Sequence, residues 1–368
     1  MIVGVPKEIK NKENRVGMVV AGVRALTTAG HKVLIQHNAG FGAGISDDDY
    51  RKAGAVIIEG PKEIFEKSDM IVKVKEPLPE EYSMLREGQI LYTYLHLAAD
   101  ERLTKALMER KIVGIAYETI QPADGSLPLL APMSAVAGRM ATQIGASYLQ
   151  HDHGGKGMLL GGVTGVDRAN VVILGGGVVG INSAKMAVGL GARVTILDTN
   201  VNRLDYLSDI FGNEVTTLYS NSEQIEKAVN QADLVIGAVL VPGAKAPKLV
   251  TREMISRMQP GGVVVDVAVD QGGSVETCRP TSHEHPTYTV DGVIHYAVPN
   301  MPGAVPRTST YALTNVTMKY AVMLANLGWK EAVTRDPALL KGVNILNGKV
   351  AYKQVADDLG LPFEPVRI

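Results

Sequence analysis

The run Gly175-Gly176-Gly177-Val178-Val179-Gly180 follows directly on the apolar stretch Val171-Val172-Ile173-Leu174 and opens a segment of helical pattern. Glycines at this spacing, between a strand and a helix, suit the binding of a diphosphate. Gly175 would make the tight turn, Gly177 would let the backbone approach the pyrophosphate, and Gly180 would let helix lie close on strand. The N–H groups that open the helix, from Gly177 through Val178 and Val179, would point at the phosphate charge. The next apolar stretch, Arg193-Val194-Thr195-Ile196-Leu197, ends on Asp198. It lies about 20 residues on, where an acidic side chain accepts hydrogen bonds from an adenosine ribose. Its charge would repel a 2′-phosphate, which favours NAD over NADP. Against this, Arg203 follows about one helical turn later and could reach a phosphate.

In open α/β sheets ligands sit outside the carboxyl ends of the strands. Ser220, Val239, Leu240 and the run Val267-Ala268-Val269-Asp270 would then surround the same cofactor. Asp270 ends an apolar stretch in which Asp266 is the other charge, and Gly272 and Gly273 follow it. By position alone a cap or turn role suits Asp270 as well as a catalytic one.

A second group of reactive side chains lies in the first third. Arg15 sits in the polar loop Asn14-Arg15-Val16-Gly17, Lys75 closes Ile71-Val72-Lys73-Val74-Lys75, and His96 closes Tyr92-Thr93-Tyr94-Leu95-His96. Taken singly, a loop arginine and a strand-end lysine are usually solvated, and a lone histidine is more often structural. Together they supply two cations for an anionic substrate and one group that titrates near neutrality.

The elements that must position these groups read as two βα series. Short Val- and Ile-rich runs alternating with helical patterns indicate parallel sheets. The first series has strands over 2–5, 32–36, 55–59, 70–75, 89–95 and 112–118, with helices over 19–29, 47–53 and 100–111. A long helix over 132–150 and a glycine-rich stretch, 154–165, lead to the second series. Its strands cover 170–174, 193–198, 214–219, 233–239, 263–269 and 293–298. After Pro299-Asn300-Met301-Pro302-Gly303 the pattern turns helical over 308–327, and the tail is expected to pack on the first domain.

Composition narrows the classes. The 368 residues are 46% hydrophobic and 20% charged, with a net charge of -1, which suits a globular protein of about two domains. No block of like charge points to nucleic acid or an anionic membrane. Cys278 is the single cysteine, so neither an intramolecular disulfide nor a Cys-rich metal site is available. The longest uncharged stretches are about 15 residues, short of the roughly 20 a helix needs to span a bilayer. Charge at Lys7 and Glu8 comes too early for a signal peptide, and the cytoplasm is the expected location.

Several short motifs then carry a resemblance. Val5-Pro6-Lys7-Glu8, Arg15-Val16, Val74-Lys75-Glu76-Pro77, Tyr94-Leu95-His96-Leu97, Pro132-Met133-Ser134, the Gly175 turn, the stretch 266–273 and Pro299-Asn300-Met301-Pro302-Gly303 occur in this order. The chain resembles the L-alanine dehydrogenase family over essentially its whole length. The resemblance implies an α/β fold in which a Rossmann domain, 130–305, is inserted into a flavodoxin-like doubly wound substrate domain, 1–129 plus 306–368. It implies NAD-dependent, reversible oxidative deamination of L-alanine to pyruvate and ammonia, in a homohexamer. It assigns Arg15 and Lys75 to the substrate carboxylate and carbonyl, His96 to general acid/base work, and Asp270 to handling water or ammonia. Asn300 and Met301 would border the nicotinamide with Val298 and Pro299 beside them; Ser134 and Arg279 would touch the cofactor, and Glu118 would orient an active-site group. Some family members carry a metal-binding pair on the long helix. Here Met323-Leu324-Ala325-Asn326-Leu327 has no such character, and no metal is expected there.

Two other readings differ in kind. The NAD-binding subunit of a proton-translocating transhydrogenase shares the fold, but it resembles the chain less over 121–128, where its Arg- and Gln-bearing nicotinamide loop would fall. A silent NAD-binding regulator would have no use for Arg15, Lys75, His96 and Asp270 together.

Overall fold

The computed structural model describes residues 1–239, 246–269 and 272–367. Two of the residues singled out above, Leu240 and Asp270, lie outside them. The chain divides into two compact units, Met1–Met133 with Gly303–Ile368, and Ser134–Pro302.

The first unit opens with β1 (Ile2–Val5), β2 (Lys32–Gln36), β3 (Val56–Ile58), β4 (Met70–Val72), β5 (Ile90–Thr93) and β6 (Val113–Ala116). They are parallel and ordered β3-β2-β1-β4-β5-β6. The architecture is doubly wound α/β; its order is that of a dinucleotide-binding sheet, where a flavodoxin-like sheet would run 2-1-3-4-5. The strands are mostly apolar because helices cover both faces, as in other parallel sheets. Ile64, Phe65, Ile71, Leu91, Leu103 and Leu107 form the core of this unit, each stabilising the fold by roughly 1.5–3 kcal/mol relative to exposure.

The second unit holds β7 (Asn170–Leu174), β8 (Arg193–Asp198), β9 (Val215–Tyr219), β10 (Leu234–Gly237), β11 (Val263–Asp266), β12 (Thr287–Val290) and β13 (Val293–Tyr296). Its sheet runs β12-β13-β11-β10-β7-β8-β9. With β12 set aside, the parallel strands repeat the order of the first sheet. In the tail, β14 (Val343–Leu346) pairs antiparallel with β6, and β15 (Lys349–Val350) pairs with β14. The tail therefore completes the first sheet.

Three antiparallel strands, β12, β14 and β15, were not expected. Each belongs to a hairpin with a two-residue turn: Asp291-Gly292 joins β12 to β13, and Asn347-Gly348 joins β14 to β15. All four turn residues have positive φ, between 50° and 81°, the condition for the tight turn that matches strand twist.

Six strands stop two or three residues sooner than expected: β4 at Val72, β5 at Thr93, β6 at Ala116, β10 at Gly237, β11 at Asp266 and β13 at Tyr296, so Lys75, His96 and Val267–Val269 lie on the loops that follow. The expected helix over 308–327 is longer, Pro306–Arg335, with a break at Gly328 (φ 73°, ψ 163°). Its buried threonines face the first sheet: Val16 donates its N–H to Thr310 Oγ1 at 3.3 Å, and Tyr92 Oη donates to the Thr317 carbonyl at 3.0 Å. Among the described residues no helix is long and apolar enough to cross a membrane.

Candidate active site

In the second unit the three glycines of the motif have different surroundings. Gly175 has φ +98°, and a Cβ there would lie 2.9 Å from the Ala238 carbonyl oxygen and 3.2 Å from Val239 Cα. At Gly180 a Cβ would stand 1.8 Å from the Gly175 carbonyl oxygen, so helix Val178–Gly189 can pack on β7 only without one. At Gly177 a Cβ would meet nothing within 4 Å. This glycine faces open space at the start of a helix that no side chain caps, where the helix dipole favours an anion.

Asp198 closes β8 beside this turn. Its Oδ2 accepts the Gly176 N–H at 2.7 Å and its Oδ1 accepts the Asn200 N–H at 2.8 Å. The carboxylate is fixed by backbone and retains acceptor capacity, since an ionised carboxylate offers about four lone-pair sites. Arg203 donates from Nε to the Gly176 carbonyl and lies 4.9 Å above the Tyr206 ring. Ser220 follows β9 and donates its N–H to the Asp198 carbonyl at 2.9 Å. Gly175, Asp198, Arg203, Ser220 and Val239 are thus brought together. The residues present fit an adenosine diphosphate.

The remaining cofactor candidates of this unit are more dispersed. Ser134 is half-buried on helix Ala131–Tyr148, and Val298 and Met301 are buried. Asn300 takes φ 61°, a backbone conformation asparagine tolerates better than most residues. Arg279 is exposed and stacks its guanidinium 4.5 Å from the Tyr288 ring centroid. The loop carrying Val267 and Ala268 is tied back by Asp266, fully buried, which accepts N–H groups from Ala268, Ser274 and Val275 at 3.1, 2.8 and 3.0 Å. Burial raises the Asp266 carboxyl above its ordinary range against the pull of those three bonds.

The first unit gathers the other reactive groups on the loops after β1, β4 and β5. Arg15 is 2% exposed, far from the solvated loop residue its setting suggested. Its Nε and Nη2 grip Glu13 at 2.7 and 2.5 Å, and Nη1 lies 3.1 Å from Met133 Sδ. Burial would lower the guanidinium's proton affinity, yet the hydrogen bonds and charge of Glu13 raise it. Lys75 is half-buried. Burial, with the cations of Arg15 and Lys10, pushes its ammonium below the ordinary lysine value, against the opposing charges of Glu76 and Glu13.

His96 takes the left-handed backbone conformation, φ 49°, ψ 38°, which costs a non-glycine residue about 1–2 kcal/mol. Glu118 stabilises it by accepting N–H groups from both Leu95, at 3.1 Å, and His96, at 2.6 Å. The imidazole Nδ1 lies 3.3 Å from Glu76 Oε2, and the other Glu76 oxygen meets Lys10 Nζ. Burial alone would raise the Glu76 carboxyl; the bond to His96 and the charges of Lys75, His96 and Lys10 hold it well below the ordinary carboxylate range. Beside the imidazole, the Tyr94 ring centroid lies at 5.7 Å, and Tyr94 Oη donates to the Leu129 carbonyl at 2.6 Å.

Sequence reasoning passed over Glu13, Glu76 and Lys10. The legible signals were slight: Glu76 adjoins Lys75, and Glu13 stands two residues before Arg15. What results is two cations, a carboxylate-held imidazole and a buried carboxylate beneath the arginine. That set can bind a small carboxylate and move a proton beside it. Among the described residues no group of three or more His, Cys, Asp or Glu side chains could hold a metal. On the long helix, Asn326 Oδ1 lies 2.7 Å from His31 Nε2.

A glycine turn fitted to a dinucleotide on one sheet, and an acid/base group among cations on the other, define a pyridine-nucleotide oxidoreductase of two α/β units. The chain belongs to the alanine dehydrogenase/PNT family. The N-terminal domain model of that family matches residues 4–137 and the C-terminal domain model residues 141–353. Similar proteins include the alanine dehydrogenase of Methanococcus maripaludis, 63% identical over 99% of this chain and 98% of that one. The alanine dehydrogenase of Geobacillus stearothermophilus is 57% identical, over 100% of this chain and 98% of that one. A solved L-alanine dehydrogenase superposes with a TM-score of 0.95 at 55% identity, covering 98% of this chain and 99% of the other. A transhydrogenase from Sinorhizobium meliloti matches at TM-score 0.82 but 24% identity, over 96% and 99% of the two chains. At that identity the likeness is one of fold.

Proposed function

We propose a division of labour for the reaction this chain carries out, the NAD-dependent, reversible oxidative deamination of L-alanine to pyruvate and ammonia. The first unit, Met1–Met133 with Gly303–Ile368, handles the amino acid, and the second, Ser134–Pro302, holds NAD. The observation that carries this reading is His96, its imidazole on Glu76 and its backbone pinned by Glu118, on the loops that also bear Arg15 and Lys75.

Gly175, Gly177 and the helix start at Val178 and Val179 hold the diphosphate, and Asp198 takes the ribose hydroxyls. When bound, NAD⁺ supplies the hydride acceptor for the alanine Cα. Arg15 takes the substrate carboxylate as a planar fork, and Lys75 serves as a point charge toward the carboxylate and the carbonyl oxygen. With Nδ1 turned to Glu76, His96 presents Nε2 to the reacting carbon and activates the water that adds to the imine. The carbinolamine then loses ammonia, to which His96 returns the proton, leaving pyruvate. Asp270 assists with water and ammonia, and Asn300 and Met301 border the nicotinamide with Val298 and Pro299. The enzyme works in the cytoplasm as a homohexamer, which mass measurement in solution checks.

Initial rates of purified protein with L-alanine and NAD⁺, and with pyruvate, ammonia and NADH, test the function. Turnover in both directions, with NADP⁺ a poor substitute, is the expected result. Activity confined to mixtures with an added NADP-binding partner would instead support the transhydrogenase reading.

A further inference from the structure

In the first unit the loops leaving β1 and β4 part where a sheet of this order opens a crevice. Buried charge fills that place. Glu8, on the loop after β1, accepts the N–H groups of Val74 at 2.6 Å and Lys75 at 3.3 Å. Its other oxygen meets Lys73 Nζ at 3.2 Å, and Lys73 also donates to Glu81 Oε1 at 2.9 Å. Glu81 Oε2 in turn accepts the Leu78 N–H at 2.9 Å. None of the three side chains is more than 2% exposed. Segment 73–78, which carries Lys75 and Glu76, is therefore tied at both ends. Two more bonds pin its carbonyls: Tyr117 Oη donates to Lys73 O and Thr93 Oγ1 to Lys75 O, each at 3.0 Å.

A buried ion group of this kind is a poor source of stability, because desolvation offsets much of the attraction; its better use is to select one arrangement over others. We propose that Glu8, Lys73 and Glu81 are positioning residues that hold segment 73–78 so that Lys75 faces the substrate and Glu76 faces His96. The inference rests on the reading of Lys75 as a substrate-binding residue.

Glu8→Ala removes the acceptor for two N–H groups and one partner of Lys73. The Michaelis constants for L-alanine and pyruvate rise at least ~10-fold, since small misplacements of binding groups have large effects, while that for NAD⁺ stays within about twofold. Lys75, which faces Glu76, Arg15, Lys10 and Glu13, also gains water. The alkaline limb of the pyruvate-direction pH profile then moves up toward that of ordinary lysine. Glu8→Gln keeps an oxygen for the Val74 N–H and recovers most of the loss. Should Glu8→Ala fail to fold, Glu81→Gln, which keeps the Leu78 acceptor, shows the same pattern at about threefold.

A fall in thermal stability or active fraction, with unchanged Michaelis constants and pH profile in both Glu8→Ala and Glu81→Gln, would overturn the inference. Lys75→Met separates the two claims. If it leaves the constants for alanine and pyruvate unchanged, the substrate-site reading fails. If it raises them while the Glu8 and Glu81 variants do not, the positioning role alone fails.

Discussion

The two sheets share one strand order and differ in the turn after the first strand. In the second unit β7 ends at Leu174 and the helix begins at Val178, so three glycines and a row of N–H groups fill the gap. In the first unit β1 ends at Val5 and the next helix begins at Val20. The loop between carries Glu8, Lys10, Glu13 and Arg15. One turn offers backbone N–H groups, as a diphosphate requires; the other offers charged side chains, to which the proposed function gives the small acid. Fold order thus says where ligands gather, and the residues at that place say which ligands.

The comparison breaks most visibly at His96. His96→Ala is expected to lower turnover by at least ~10²-fold, as loss of an acid/base group commonly does, with NADH binding unaltered. Intact turnover would remove the chemistry from the first unit and revive the reading of a silent nucleotide-binding regulator.

Two glycine variants sharpen the second unit. Gly177→Ala points its methyl into open space, so the protein folds with a melting temperature within about 2 °C of the parent. Its Michaelis constant for NAD⁺ rises about 10-fold or more if Gly177 has its proposed role, since the methyl would then stand in the path of the diphosphate. Gly180→Ala drives a Cβ against the Gly175 carbonyl, at 1.8 Å, and lowers the melting temperature itself. Equal thermal losses in the two variants would show that Gly177 serves folding and not the nucleotide.

The smallest effect concerns Glu76. Its folded carboxyl is held well below the ordinary value of 4.5, so it contributes stability above that value and loses it as pH falls toward the depressed one. Glu76→Gln lacks this component. Its unfolding free energy, from denaturant titration, should fall less steeply than the parent's between about pH 5 and pH 3, by on the order of 1 kcal/mol. Parallel curves would show that Glu76 is not held by His96, Lys75 and Lys10.

Much of this was legible in the amino-acid order. Parallel strands covered on both faces read as runs such as Val171–Leu174, and the expected bounds of β1, β2, β7 and β8 agree with those observed. The antiparallel additions were overlooked because β14 and β15 are short and carry Asn344 and Lys349 among few apolar residues. Yet Asn347-Gly348 and Asp291-Gly292 are the strongest short hairpin signals a chain can carry. The candidate site was half legible. Arg15, Lys75 and His96 stand out as reactive types near strand ends, whereas Glu13 and Glu76 become visible only when folding brings carboxylates onto them. Apolar runs also hid where strands stop: Lys73–Lys75 continues the alternation of β4, but the paired register ends at Val72, the Lys73 N–H makes a last bond to the Tyr92 carbonyl, and Glu8 captures the Val74 and Lys75 N–H groups.

The most direct test of the division between the two units is the response of Arg15→Lys to each ligand separately. Lysine keeps the charge but cannot reproduce the planar fork that Glu13 holds at 2.7 and 2.5 Å. Pyruvate's Michaelis constant should rise about 10-fold or more, while the dissociation constant of NADH, read from its fluorescence, stays within about twofold. Weakened NADH binding with pyruvate unaffected would contradict the assignment of substrate to the first unit.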